Sequence, residues 1–69
     1  MKKRSVKIAG HLTSISLEQP FWDALKAIAE SEDLSLNQLV TRIDAGRGEN
    51  NLSSALRLYV LQDLQQKIR

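Results

Sequence analysis

The feature that most constrains this chain is a single clear β-strand at residues 11–17 that has no clear partner strand. In this segment Ile15 and Leu17 alternate with Ser14 and Ser16, the period-two pattern of a strand with one buried face. A lone strand leaves backbone N–H and carbonyl groups unpaired, and even an isolated hairpin is marginal in water. The pattern therefore predicts pairing with the same segment of a second copy, as an antiparallel two-fold ribbon.

A local hairpin is the alternative. Val6 and Ile8 also alternate with polar neighbours, but the parity of the pattern changes between Ile8 and Thr13, from even-numbered to odd-numbered positions. A turn at residues 9–12 would pair residues 4–8 with residues 13–17. The intermolecular ribbon is the preferred interpretation, with residues 1–10 as a basic N-terminal arm and residues 11–69 as the folded domain.

Three helices are predicted after the strand. The first has one apolar face and begins near Pro20, because proline is tolerated in a first helical turn. Ser35 and Gln38 match a capping box, which starts the second helix. Residues 44–51, rich in glycine and asparagine, then precede a third helix at residues 52–67. That helix is apolar around so much of its circumference that a second subunit is expected to cover one side.

The size of the chain also favours an oligomer. A domain of 69 residues is marginal as a lone monomer, and small folds are usually stabilised by disulfides, a metal or oligomerisation. The chain has no cysteine and one histidine, His11, so disulfides and the usual zinc clusters are not expected. No nucleophile with a partnered base is evident either, so we expect neither an enzyme nor a bound cofactor.

The charges are segregated along the chain. Residues 1–17 contain four basic residues and no acidic one, whereas residues 18–33 contain five acidic residues and one basic residue. A basic N-terminal surface suits a polyanion, and the acidic first helix would point away from it. The alternative is that the basic segment only aids solubility and binds no polyanion. No apolar stretch of signal-peptide or membrane-spanning length follows Met1, which predicts a cytoplasmic protein.

Three short motifs resemble the ribbon-helix-helix family of DNA-binding dimers, of which the Arc and MetJ repressors are members. They are residues 13–18 (TSISLE), 21–25 (FWDAL) and 34–40 (LSLNQLV). The resemblance implies a mainly α fold with one β-strand, a homodimer built on an intermolecular antiparallel ribbon, and here an additional C-terminal helix. A two-stranded ribbon of this kind fits the major groove of DNA.

A narrower resemblance is to a bacterial subfamily of short ribbon-helix-helix proteins. Its pattern looks like residues 5–11 (SVKIAGH), 43–47 (IDAGR) and 51–57 (NLSSALR) of this chain. The chain departs from the general family where residues 44–51 break the second helix. It departs from the subfamily at Leu12, where a basic residue is common, which bears on DNA sequence preference.

Strand parity and the resemblance together give the candidate sites. The base-reading candidates are Leu12, Ser14 and Ser16, because hydroxyls bond base edges and an apolar side chain contacts the thymine methyl. The phosphate-binding candidates are the basic residues Lys2, Lys3, Arg4 and Lys7 and the start of the second helix at Ser35, Leu36 and Asn37. The dimer-interface candidates are Ile15, Leu17, Leu56, Tyr59 and Val60.

These features predict a sequence-specific DNA-binding transcriptional regulator, a repressor or autoregulator. Its expected partners are double-stranded DNA and a second copy of the chain. A higher oligomer and a protein partner are left open. One alternative is a dimeric protein-interaction module of the same fold that does not bind DNA, which Leu12 favours. Another is an antitoxin, against which stands the lack of a disordered tail after the third helix.

Overall fold

The computed structural model describes residues 1–67, which form a two-stranded antiparallel sheet followed by three helices. The elements are β1 (Lys2–Ile8), β2 (His11–Leu17), α1 (Gln19–Ser31), α2 (Leu36–Ala45) and α3 (Leu52–Lys67). The added C-terminal helix and the Ser35 start of the second helix agree with the sequence prediction. Within residues 1–67, no helix is long and apolar enough to cross a membrane.

The expectation of one strand preceded by a basic arm is wrong, because residues 2–8 form a strand of the domain. β1 pairs with β2 of the same chain, so that Val6 lies opposite Thr13 and Ile8 lies opposite His11. The argument that β2 needs a second copy because it has no partner of its own therefore no longer applies. The chain forms a local hairpin, as in the alternative, but with a shorter turn and a different register: residues 9–10 form the turn, and residues 2–8 pair with residues 11–17.

A tight turn at Ala9 and Gly10 explains why the sequence pattern changes parity there. Both residues have positive φ, 51° and 82°, as a two-residue type I′ hairpin turn requires. Across such a turn an even-numbered residue always faces an odd-numbered one, so even positions of β1 and odd positions of β2 share one face. The parity change marks a turn between two paired strands.

The inner face of the hairpin packs on the helices. Val6, Ile8, Ile15 and Leu17 are buried there and form one cluster with the apolar sides of all three helices. The single tryptophan, Trp22, is fully buried in this cluster, and its indole N–H donates to the Lys2 carbonyl at 2.9 Å. This bond fixes the start of β1 against α1.

Local hydrogen bonds define the helix ends. After α1 the chain reverses at Asp33, which has φ 58°, and Leu34 N–H donates to the Ala29 carbonyl at 2.8 Å, the pattern of a Schellman motif. Between α2 and α3, Arg47 bonds the Asp44 carboxylate at 2.7 Å. The Asn51 side chain caps α3 by accepting from Ser54 N–H at 2.8 Å.

The structure shows where the predicted dimer-interface residues lie within one chain. Ile15, Leu17, Leu56 and Val60 are buried in the core of the single chain, because intrachain pairing turns the inner face of β2 and one side of α3 onto the other helices. Each of these four side chains is at most 3% exposed within the chain, and their contact with a second copy stays a prediction. Tyr59 is half-buried beside the same core, and its hydroxyl lies 3.3 Å from a Glu32 carboxylate oxygen.

Candidate nucleic-acid interface

The outer face of the hairpin is polar and basic. The strand register places Lys3 opposite Ser16, Ser5 opposite Ser14, and Lys7 opposite Leu12, and this face points away from the core. Neither strand contains an acidic residue. One chain thus presents a two-stranded ribbon whose outer face combines two ammonium groups with three hydroxyls.

All three base-reading candidates lie on this outer face. Ser14 and Ser16 occupy successive outward positions of β2, and Leu12 is 78% exposed beside the turn. An exposed leucine at the tip of a ribbon has no packing role in the chain. Its exposure is consistent with an apolar contact to a partner outside the chain.

The four basic candidates divide between the two faces. Lys3 and Lys7 project from the outer face, where they flank the serines of β2. Lys2 and Arg4 belong to the opposite side of β1 by strand parity, at the rim of the core. The Arg4 guanidinium lies over the Trp22 ring, 5.7 Å from its centroid. Only Lys3 and Lys7 therefore share a surface with the base-reading candidates.

The capping box of α2 occupies part of the predicted phosphate site. The Ser35 hydroxyl accepts from Gln38 N–H at 3.0 Å, and the Gln38 side chain accepts from Ser35 N–H at 2.8 Å. The Ser35 N–H is thus already bonded, which removes it from the candidate donors. The N–H groups of Leu36 and Asn37 belong to the first turn, where an α-helix leaves donors unpaired.

The Asn37 side chain holds α2 against the hairpin, a role that sequence reasoning missed. Its Oδ1 accepts from Lys7 N–H at 2.9 Å, and its Nδ2 donates to the Lys7 carbonyl at 2.7 Å. The two bonds attach the start of α2 to the outer edge of β1, beside the outward Lys7 side chain. In the sequence, the only signal for this contact is that an asparagine stands near the start of the helix.

The two edges of the hairpin differ. The backbone N–H and carbonyl of Lys7 both bond Asn37, so they point away from β2. Leu12 lies opposite Lys7 in the antiparallel pair, so its backbone N–H and carbonyl point away from β1. By the same alternation Ser14 and Ser16 direct their backbone groups to the free edge of β2. Among residues 1–67 these groups have no backbone partner outside the hairpin.

A groove runs along this free edge. A cavity of about 390 Å³ separates β2 from the start of α3, and its lining includes Ser14, Ser16, Ser54 and Arg57. The groove is open on one side and lies next to unpaired strand groups. An extended segment of another chain could enter it and continue the sheet.

The acidic α1 is tied to α3 at one end of the molecule. The Arg57 guanidinium bonds Glu18 at 3.0 Å and lies 5.9 Å from the centroid of the Phe21 ring. A hydrogen bond from the backbone N–H of Glu18 itself, and then the Arg57 guanidinium, lower the pKa of the Glu18 carboxyl. Glu18 is therefore ionised across the neutral range and neutralises Arg57.

The chain is thus a two-stranded ribbon followed by three helices, with a polar and basic outer face on the ribbon. Residues 1–64 match the model of the ribbon-helix-helix domain family, and the chain belongs to that family. Such domains are generally DNA-binding transcription regulators or antitoxins, and they typically bind DNA as dimers. No curated protein matches the chain.

One solved structure is similar over nearly the whole chain. It is that of an uncharacterized protein from Bordetella pertussis Tohama I, which is 40% identical, with a TM-score of 0.78 over 96% of this chain. The chain spans 58% of that protein's length. The two proteins therefore share the fold, and the similarity by itself brings no activity to this chain.

Proposed function

We propose that this protein is a transcriptional regulator, a repressor or autoregulator, that binds duplex DNA through the outer face of the hairpin. The observation that carries the proposal is the register that sets Lys3 and Lys7 beside Leu12, Ser14 and Ser16 on one acid-free face. The proposal includes a bacterial, cytoplasmic setting, where the protein meets its operator.

Each strand has its own part in this proposal. A two-stranded ribbon fits a major groove about 12 Å wide, with its outer face toward the base edges. Ser14 and Ser16 would bond base edges, and Leu12 would contact a thymine methyl. Lys3 and Lys7 on β1 would attract phosphates, which supplies affinity without sequence information.

The start of α2 supplies a second phosphate contact. Asn37 attaches this helix end to β1 beside Lys7, so the free N–H groups of Leu36 and Asn37 lie near the same face. The helix dipole adds to the attraction for an anion at that position. Lys2 and Arg4 lie on the other side of the strand, so their positive charges would attract the phosphates from a greater distance.

The working unit in this proposal is a homodimer joined at the free edge of β2. An antiparallel pairing centred on Ser14 would bond the outward groups of Leu12, Ser14 and Ser16 to those of the partner subunit. The edge of β1 carries Lys3 and Lys7 and is bonded by Asn37, the kind of protection that disfavours pairing there. The free edge of β2 has no lysine, arginine, proline or acidic residue.

A salt titration of DNA binding tests the proposal. Fluorescence anisotropy of a labelled random-sequence duplex should show binding at low salt that weakens steeply as salt is added. If about 6–10 phosphates are contacted by the dimer, affinity should fall about 10³–10⁵-fold between about 50 and 200 mM salt. Absence of duplex binding at the lowest salt would refute the proposal.

A pair of charge reversals locates the surface. Lys3→Glu should abolish most of the binding, whereas Lys26→Glu on the exposed side of α1 changes the net charge equally and should have a much smaller effect. Equal losses for the two variants would mean that only net charge matters. In that case the hairpin face is not the interface.

The alternative function is a dimeric interaction module of this fold that does not bind DNA, and the exposed Leu12 favours it. An antitoxin role is the other possibility, since the family includes antitoxins. Co-purification of a small protein partner, with no salt-dependent duplex binding, would favour the interaction module. A partner together with duplex binding would favour an antitoxin.

A further inference from the structure

The outer side of α3 carries an exposed apolar strip made of Leu58, Leu61 and Leu64. These three leucines are 44%, 48% and 46% exposed, whereas Ala55, Leu56 and Val60 on the other side of the helix are buried. The spacing of three residues keeps the leucines on adjacent positions of the helix surface. A helix that is apolar on both sides is typical of one packed on both sides.

The strip continues the groove beside β2. Ser54 and Arg57 line that groove, and Ser54, Leu58, Leu61 and Leu64 follow one another along α3 at intervals of three or four residues. Arg57 and Leu61 are four residues apart and are therefore also neighbours on the helix surface. A chain seated on the free edge of β2 would therefore meet the leucines as it leaves the groove.

The charge pattern of this side suits a second copy of the same surface. Between Leu58 and Leu64 the exposed residues are leucine and glutamine. The half-buried Asp63 is paired with Lys67, and the neighbouring Arg57 is paired with Glu18. Two copies of an uncharged strip related by a two-fold axis meet without like-charge repulsion. A strongly charged partner would find no complement on this strip.

We propose that Leu58, Leu61 and Leu64 pack against the partner subunit and supply the apolar part of the dimer interface. This inference rests on the proposed dimer at the β2 edge and adds its main source of affinity. The strand edge offers serines and backbone hydrogen bonds, each of which contributes modestly after water is displaced. Burying half-exposed leucines from both subunits contributes more to the free energy of association.

Replacing the strip with glutamine tests this inference. The variant Leu58→Gln, Leu61→Gln, Leu64→Gln keeps helix propensity nearly constant, because leucine and glutamine are both good helix formers. Sedimentation equilibrium of the full chain should show dimerisation weakened at least ~100-fold. Ala27→Gln is the control, because it introduces glutamine at an exposed position of α1 that lies outside both the strip and the β2 edge. Its dimerisation should be unchanged.

Two further measurements separate the possible outcomes. The fluorescence of the buried Trp22 shows whether each variant remains folded. Ser14→Pro removes a backbone donor from the β2 edge and should also dissociate the dimer. If Ser14→Pro dissociates it while the glutamine variant dimerises like the unmodified chain, this inference fails and the proposed dimer stands. If the unmodified chain is a monomer at all concentrations, both fail.

Single cysteines give an independent reading, since the chain has none of its own. Leu61→Cys should give covalent dimers with a short thiol-reactive cross-linker. Gln66→Cys, exposed on another side of α3, should give few. Equal cross-linking at both positions, or none at Leu61→Cys, would overturn the inference.

Discussion

The two faces of the hairpin share one backbone but have opposite roles. The inner face buries Val6, Ile8, Ile15 and Leu17 in the core, while the outer face exposes serines, lysines and Leu12. Because side chains of a strand alternate, adjacent residues can be assigned to stability or to recognition independently. This independence makes each role testable by substitution at neighbouring positions.

The largest expected effect is on the inner face. Leu17→Ala removes a fully buried side chain and should lower the free energy of unfolding by about 2–5 kcal/mol. Leu12→Ala, on the outer face of the same strand, should change it by less than about 0.5 kcal/mol. Urea unfolding followed by Trp22 fluorescence measures both. Similar losses for the two variants would contradict the assignment of the faces.

Next in size is the effect of the outward serines of β2 on DNA discrimination. Replacing Ser14 and Ser16 together with alanine should lower the preference for a selected duplex over a scrambled one, by about fivefold per serine, since each lost hydrogen bond contributes about 1 kcal/mol. The salt dependence should stay the same, because no charge changes. Ser5→Ala on β1 is the control. A change at Ser5 as large as that at Ser14 and Ser16 would argue against base reading by β2.

The turn that joins the two strands should respond more modestly. Ala9 has φ 51°, which asparagine tolerates better than alanine, so Ala9→Asn should stabilise the chain by about 0.5–1 kcal/mol. Gly10→Ala, at φ 82°, should destabilise it by about 1 kcal/mol. Thermal unfolding monitored by circular dichroism checks the two signs. If neither variant changes stability, β1 and β2 do not form this hairpin in solution.

The smallest expected effect concerns Tyr59, which borders the core-facing side of α3. Partial burial, and then the nearby Glu32 carboxylate, raise the pKa of the Tyr59 phenol above its ordinary value of 10.0. The protonated phenol therefore contributes fully to the free energy of unfolding when the pH is below the pKa that Tyr59 has in the unfolded chain. This contribution is lost as the pH rises through the pKa that Tyr59 has in the folded chain. Tyrosinate absorbance of this single tyrosine should appear at a higher pH than in the unfolded chain.

Glu32→Gln is the variant that checks the cause of this shift. Removing the carboxylate should lower the pKa of Tyr59 toward its ordinary value while leaving the part due to burial. An unchanged titration in the variant would mean that the carboxylate has no influence on the phenol.

Much of the fold could be predicted from local patterns. The apolar spacing of α1 and the Ser35–Gln38 capping box are short-range signals, and both are present in the structure. β2 was predictable for the same reason, because its alternation is regular. Local periodicity is sufficient for elements whose buried face is set by their own sequence.

The pairing of the strands was harder to predict. β1 begins with three charged residues, so only Val6 and Ile8 signal its buried face, and Ala9 is an unusual residue for a turn that needs positive φ. The orientation of α3 was hard to predict for a related reason. α3 is apolar on two sides, and the tertiary packing decides which side faces the core. The sequence pattern therefore could not show that Leu56 is buried and Leu61 exposed.

The central claim is that the outer face of the hairpin contacts DNA, and an NMR titration tests it most directly. Isotope-labelled protein would be titrated with a duplex selected from a random pool, and backbone amide shifts recorded. The account predicts the largest shifts at Lys3, Lys7, Leu12, Ser14 and Ser16, with further shifts at Leu36 and Asn37. Shifts concentrated on α1, or none in the hairpin at saturation, would contradict it.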